Sequence, residues 1–153
     1  MILRKARFSD VEAIYHLIND YADKGLMLAR SRNILYESLR EFTLAEDNGV
    51  IVGVGALHLC WNELGEVRAL AIAPSVARTG IGRMIVEKLT EEAREIGVTT
   101  LYALTYQPGF FAKLGFDEKP KESLPHKLWK ECINCAKFPN CDETAMIIQL
   151  IAE

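Results

Sequence analysis

Residues 66 to 89 constrain the fold more than any other stretch. An apolar run, Val67-Arg68-Ala69-Leu70-Ala71-Ile72-Ala73-Pro74, leads through Arg78-Thr79-Gly80-Ile81-Gly82-Arg83 into a segment with helical spacing. A strand that delivers a glycine turn to a helix start builds an anion site out of backbone. The first N–H groups of a helix lack intrahelical partners and together carry about half a positive charge, which suits a phosphate or pyrophosphate. Gly80 and Gly82 supply unusual dihedrals and let a bulky anion approach the main chain. After them Ile81, Ile85, Leu89 and Ala93 recur every four residues, with Ile96 three further on, as an apolar stripe for packing on a sheet. Arg83, Glu87, Lys88, Glu91 and Glu92 read as the solvated face. The turn is not a P-loop, which needs Gly-x-x-x-x-Gly-Lys-Ser/Thr. Nor is it a Rossmann turn, whose last small position would fall on Ile85.

The 153 residues suffice for one domain with a single substantial core, and no apolar run approaches the roughly 18 residues of a membrane span. A net charge of −3 without a Lys/Arg block argues against broad nucleic-acid binding, so an acidic ligand must be met locally. Met1 to Arg7 lacks the apolar core and small-residue cleavage site of a signal peptide. The expected compartment is the cytoplasm, with reduced cysteines.

Along the chain, residues 2–6 suggest a first strand, and Ser9 or Asp10 can cap a helix carrying Val11, Ile14, Leu17, Ile18 and Tyr21 and ending near Gly25. A second helix is expected from Ser31 to about Glu41. Phe42–Glu46, the Asp47-Asn48-Gly49 turn and Val50–Leu59 read as a hairpin feeding the strand Glu66–Ala73. Thr99–Thr105 suits a buried strand, Pro108–Phe116 a short helix stopped by Gly115, and residues 144–151 a closing strand. His16 and His58 read as ordinary packing residues. Strands that alternate first with one another and then with helices predict an α/β fold built on a mixed, open sheet.

That order of parts resembles the GNAT acyl-CoA N-acyltransferases over nearly the whole length. Arg4-Lys5-Ala6-Arg7 with Asp10 resembles the family's opening, Leu70-Ala71-Ile72-Ala73-Pro74 its central strand, and Phe110-Phe111 with Gly115-Phe116 its late signature. The resemblance implies a single GNAT domain over 1–153. It implies acetyl-CoA as co-substrate, its pantetheine arm along Leu70, Ala71 and Ile72, and its pyrophosphate on the backbone of Arg78, Thr79, Gly80, Ile81, Gly82 and Arg83. Phe111 joins the coenzyme contacts. Two departures stand out: Ala77 replaces the family's usual Gln or Arg three residues before the first glycine, and Phe111 replaces its frequent tyrosine.

Three segments are similar to the short bacterial N-acetylglutamate synthases: Gly25–Arg32, Glu66–Ile72, and Pro125-His126-Lys127 through Asn140-Cys141-Asp142-Glu143. This implies acetyl transfer to the α-amine of glutamate, the first step of arginine synthesis. The partner expected is a small-molecule amino acid, and the resemblance is compatible with a homodimer. Two alternatives stay open: a GNAT enzyme for another amine, such as glutamine, a polyamine or a protein N-terminus, and a non-catalytic acyl-CoA sensor.

An ammonium must lose a proton before it attacks a thioester. Glu66, at the position where several GNAT enzymes keep a glutamate, is the candidate base, acting through water. The leaving thiolate, with a reference thiol pKa of about 8.5, needs no obligatory acid. Tyr106 is the nearest substitute for one, and a rim or core tyrosine is its other reading. Arg30, Arg68 and Lys127 are the candidate partners for the two carboxylates of an acidic substrate, arginine doing this best through paired N–H bonds. Arg68 lies two residues from Glu66 and so on the same strand face. Residues 120–143 form a cysteine-bearing insertion before the last strand. There Cys132, Cys135 and Cys141, with His126, Asp142 or Cys60 near them, leave zinc, buried thiols and redox pairing all open. No metal ligands are assigned.

Overall fold

The computed structural model describes residues 1–120 and 143–150. Among them are the strands β1 (Ile2–Lys5), β2 (Phe42–Asp47), β3 (Val50–Trp61), β4 (Leu64–Ile72), β5 (Thr100–Thr105), β6 (Asp117–Lys119) and β7 (Thr144–Gln149). The helices are α1 (Val11–Asp23), α2 (Arg32–Glu37), α3 (Ile81–Glu95) and α4 (Pro108–Ala112). The strands follow the order β1-β2-β3-β4-β5-β7-β6 in one mixed sheet, with β4 and β5 parallel. The residues group into two compact units, Met1–His58 with Val67–Glu92, and Leu59–Glu66 with the chain from Ala93 onward.

In the first unit the β2–β3 hairpin turns on Asn48 and Gly49, both left-handed at φ 50° and 81°, the two-residue turn that matches strand twist. Its inward residues Leu44, Val54 and Ala56 join Ala69 and Ala71 of β4 in a core with Val11, Ile14 and Ile18 of α1 and Leu35 of α2. The opposite sheet face receives α3. A Cβ on Gly53 would stand 2.9 Å from Ile85 Cδ1, and one on Gly55 would stand 2.7 Å from Ile85 Cγ2. Both glycines therefore serve close packing: only a bare backbone lets α3 approach β3 this far. Ile85 and Leu89 are fully buried there, each contributing about 1.5–3 kcal/mol of burial.

In the second unit β4 and β5 pair at Leu64↔Thr100, Gly65↔Leu101 and Glu66↔Tyr102. β7 runs antiparallel to both β5 and β6. Leu64, Tyr102 and Ala145 form its core with Cys60, Leu104 and Ile147 around them, and Cys60 Sγ lies 3.2 Å from Tyr102 Oη. Gly115, at φ 94°, stops the α4 region as expected.

Several local expectations are corrected. Asp10 does not cap α1 with its side chain; Oδ2 accepts the Arg7 N–H at 2.7 Å, and the carboxylate takes both ends of the Arg4 fork. The second helix stops at Glu37, because Ser38 leaves the helical region and a single 3-10 turn, Leu39–Glu41, follows. Ile96 is not part of the buried stripe: α3 ends at Glu95 and Gly97, at φ 93°, turns the chain, so Ile96 is 54% exposed and Val98 is buried instead. His16 is exposed, 3.9 Å from Glu12, and so is not a packing residue, whereas His58 is half-buried with Nδ1 2.9 Å from Glu41 Oε2. Strand β6 was not anticipated. No helix among the described residues is long and apolar enough to cross a membrane.

Candidate functional site

The first unit holds the strand, turn and helix start on which the sequence reading rests. Ala69 sits inside β4 with φ 55°, a left-handed conformation that costs a non-glycine residue about 1–3 kcal/mol and that clusters at functional positions. Leu70, Ala71 and Ile72 follow directly. Ala73 N–H donates to Val52 O at 2.8 Å, after which Pro74–Val76 makes a 3-10 turn. The chain then passes through Arg78, left-handed at φ 65°, and Gly80, at φ 91°, into α3. The Thr79 hydroxyl donates to Val76 O and ties this loop to itself.

Gly80 O accepts the first helical bond, from Met84 N–H at 3.1 Å. The N–H groups of Ile81, Gly82 and Arg83 therefore have no partners within the helix. A Cβ built on Gly80 meets nothing within 4 Å, so the chain at Gly80 borders open space. This fits a bound pyrophosphate: N–H groups without helical partners at the start of a 15-residue helix, with the exposed Arg78 and Arg83 alongside. Of the two glycines only Gly80 has a left-handed backbone; Gly82 lies in the first turn of α3. Arg83 Nε is turned along its own helix to Glu87 at 3.0 Å, and Ile81 points its side chain into the core.

Arg30 is half-buried, and both its backbone groups are held by Asn19 of α1: Nδ2 donates to Arg30 O at 3.1 Å, and Arg30 N–H donates to Oδ1 at 3.2 Å. One half-turn further along α1, Tyr21 Oη bonds the backbone of Ile72. The end of α1 thus touches both the acceptor candidate Arg30 and the candidate donor strand β4. Neither Asn19 nor Tyr21 was legible in this role: Tyr21 reads only as an apolar helix position, and an isolated Asn carries no pattern. Arg68 is half-buried on β4.

In the second unit Glu66 is 8% exposed and is registered against Tyr102 of β5. Tyr106 is half-buried, directly after the last residue of β5, where the Thr105 hydroxyl accepts the Gln107 N–H at 2.8 Å and shapes the entry to α4. Phe111 is 4% exposed, its ring edge-on to Phe110 at 5.1 Å and to Phe116 at 5.2 Å. Lys127, His126, Cys132, Cys135, Cys141 and Asp142 lie outside the described residues.

Residues 11–116 match the profile of the Acetyltransferase (GNAT) family, and the chain belongs to that family. It is 42% identical over 120 residues to an amino-acid acetyltransferase of Mycobacterium tuberculosis, covering 76% of this chain and 68% of that protein. An uncharacterized N-acetyltransferase of Chlorobaculum tepidum is 39% identical over 145 residues, 95% of this chain and 94% of its own. Among solved structures, a Mycobacterium tuberculosis protein in complex with CoA superposes with a TM-score of 0.88 at 33% identity, covering 99% of this chain and 100% of that one. The N-acetylglutamate synthase of Neisseria gonorrhoeae, complexed with coenzyme A and N-acetyl-glutamate, superposes with a TM-score of 0.89 at 27% identity. That match covers 98% of this chain and 35% of the synthase.

Proposed function

We propose that the chain transfers the acetyl group of acetyl-CoA to the α-amine of L-glutamate. The coarser part, an amino-acid N-acetyltransferase using acetyl-CoA, rests on the family and on relatives that bear that name. The observation that carries the donor is the turn after β4, where left-handed Gly80 opens the backbone N–H groups at the start of α3. For the acceptor, support comes from the cations Arg30, Arg68 and Lys127 and from the structural likeness to a synthase complexed with N-acetyl-glutamate.

The chemistry assigns each group one task. Glu66 takes a proton from the substrate ammonium, through water, and the freed amine nitrogen attacks the thioester carbonyl. Charge building on the carbonyl oxygen is met by a backbone N–H of the Leu70 to Ile72 stretch, at Leu70 beside the left-handed Ala69. The C–S bond then breaks as the carbonyl re-forms, the nitrogen gives up its second proton to solvent, and the thiolate leaves and takes up a proton. Tyr106 is the nearest hydroxyl-bearing candidate to supply it. The pyrophosphate stays on Arg78 to Arg83, with Phe111 buried behind the α4 turn rather than offering a hydroxyl. On this reading the reaction opens arginine synthesis and runs in the cytoplasm.

Steady-state kinetics test the assignments. Arg30→Ala raises the Michaelis constant for glutamate at least tenfold more than that for acetyl-CoA, as expected for loss of a charged hydrogen-bond partner worth about 1.5–3 kcal/mol. Equal effects on both substrates would remove Arg30 from the acceptor site. Glu66→Gln lowers kcat by about 100-fold or more and changes the acid limb of the pH–rate profile. An unchanged profile and turnover would eliminate Glu66 as base.

A further inference from the structure

The edge of β4 carries an unusual substitution of side chain for strand. Ala73 N–H faces β3, where it donates to Val52 O at 2.8 Å. Backbone groups of successive strand residues point to opposite edges, so the N–H and C=O of Ile72 face the other way. There one side chain takes both. Tyr21 Oη donates to Ile72 O at 2.8 Å and accepts from Ile72 N–H at 3.2 Å. A phenolic hydroxyl has one proton to give and lone pairs to receive, so both bonds form at once and Tyr21 does for Ile72 what a neighbouring strand would.

We propose that Tyr21 is a displaceable stand-in for the acyl donor: its hydroxyl occupies the backbone pair of Ile72 on which an amide of the donor's pantetheine arm docks, and the donor removes it on binding. The inference rests on β4 being the donor strand. An amide presents N–H and C=O together, as a strand does, and so can satisfy both groups that Tyr21 holds. Because hydrogen bonds are exchanged rather than added at Ile72, Tyr21 lowers donor affinity without preventing binding. The ring itself packs against the core of the first unit, alongside Leu17 and Met27. Removing only the hydroxyl therefore preserves the packing.

The test is calorimetric titration of the wild type and Tyr21→Phe with two ligands. CoA carries the nucleotide and the amide-bearing arm; adenosine 3′,5′-diphosphate carries the nucleotide alone. The expected result is CoA binding to Tyr21→Phe about 3- to 10-fold more tightly than to the wild type, the range set by one released hydrogen bond, while adenosine 3′,5′-diphosphate binds both proteins alike. Unchanged or weaker CoA binding by the variant, or an equal shift for both ligands, would overturn the proposal and leave the donor strand standing. A wild type that binds neither ligand would overturn the donor reading itself, and the proposal with it.

Discussion

The Arg4 guanidinium is shared between two carboxylates. It forks onto Asp10 at 2.8 and 2.9 Å and reaches Glu46 at 3.1 Å, tying β1 both to the start of α1 and to β2. The hydrogen bond from Arg4 holds the Asp10 carboxyl below its ordinary value against the opposing effect of burial, and the Arg7 N–H adds to it. A carboxyl with a lowered folded pKa contributes stability that is fully present above its unfolded value, about 3.9, and is lost as the pH falls below it. Thermal melts between pH 7 and pH 3 should therefore show an acid-side loss that shrinks in Asp10→Asn. At neutral pH, Arg4→Ala leaves the 6%-exposed Asp10 without its cation and should cost about 3 kcal/mol, read from the same melts. Sequence singled out Arg4 and Asp10 but gave Asp10 a capping role. A cap is a local pattern, whereas the fork depends on β1 and α1 meeting in space. The left-handed Ala69 had no sequence signal for the same reason: nothing in an alanine announces a positive φ.

At the scale of elements, α3 is the best-read part of the chain, since Ile81, Ile85 and Leu89 follow the helical period and all are buried. What the period could not convey is why the helix sits so close to the sheet. That is set by Gly53 and Gly55 on β3, far away in sequence, whose absent side chains leave room for Ile85. Gly55→Val should overpack this contact, costing about 1–3 kcal/mol and lowering Tm by about 3–10 °C in differential scanning calorimetry. No loss of Tm would mean that Ile85 relaxes freely and that the close approach is not needed. The short strand β6 escaped notice because Asp117, Glu118 and Lys119 are exposed and charged and gain strand character only by pairing with Ile147, Met146 and Ala145 of β7. In α1 the core face was legible; the reach of Asn19 to Arg30 and of Tyr21 to Ile72 was not. Those bonds join segments 11 and 51 residues apart.

For the molecule as a whole, the proposed donor and acceptor sites are legible to different degrees because they are built differently. The proposed donor turn is one continuous run of chain, Arg78 to Arg83, with a local glycine pattern, and Gly80 within it is left-handed and borders open space. The acceptor candidates are scattered at Arg30, Glu66, Arg68 and Lys127, so no short window contains them. Family membership narrows the chemistry to acetyl transfer, and the cations together with the amino-acid acetyltransferase relatives narrow the acceptor. The central claim is that this acceptor is glutamate. The most direct measurement is acetyl-CoA-dependent release of free CoA thiol against a panel of amines, with mass-spectrometric identification of the acetylated product. L-Glutamate should give the highest kcat/KM, with N-acetylglutamate as product and glutamine, polyamines and peptide N-termini at least tenfold poorer. Preferential acetylation of another amine, or binding of acetyl-CoA with no acceptor-dependent release, would contradict it.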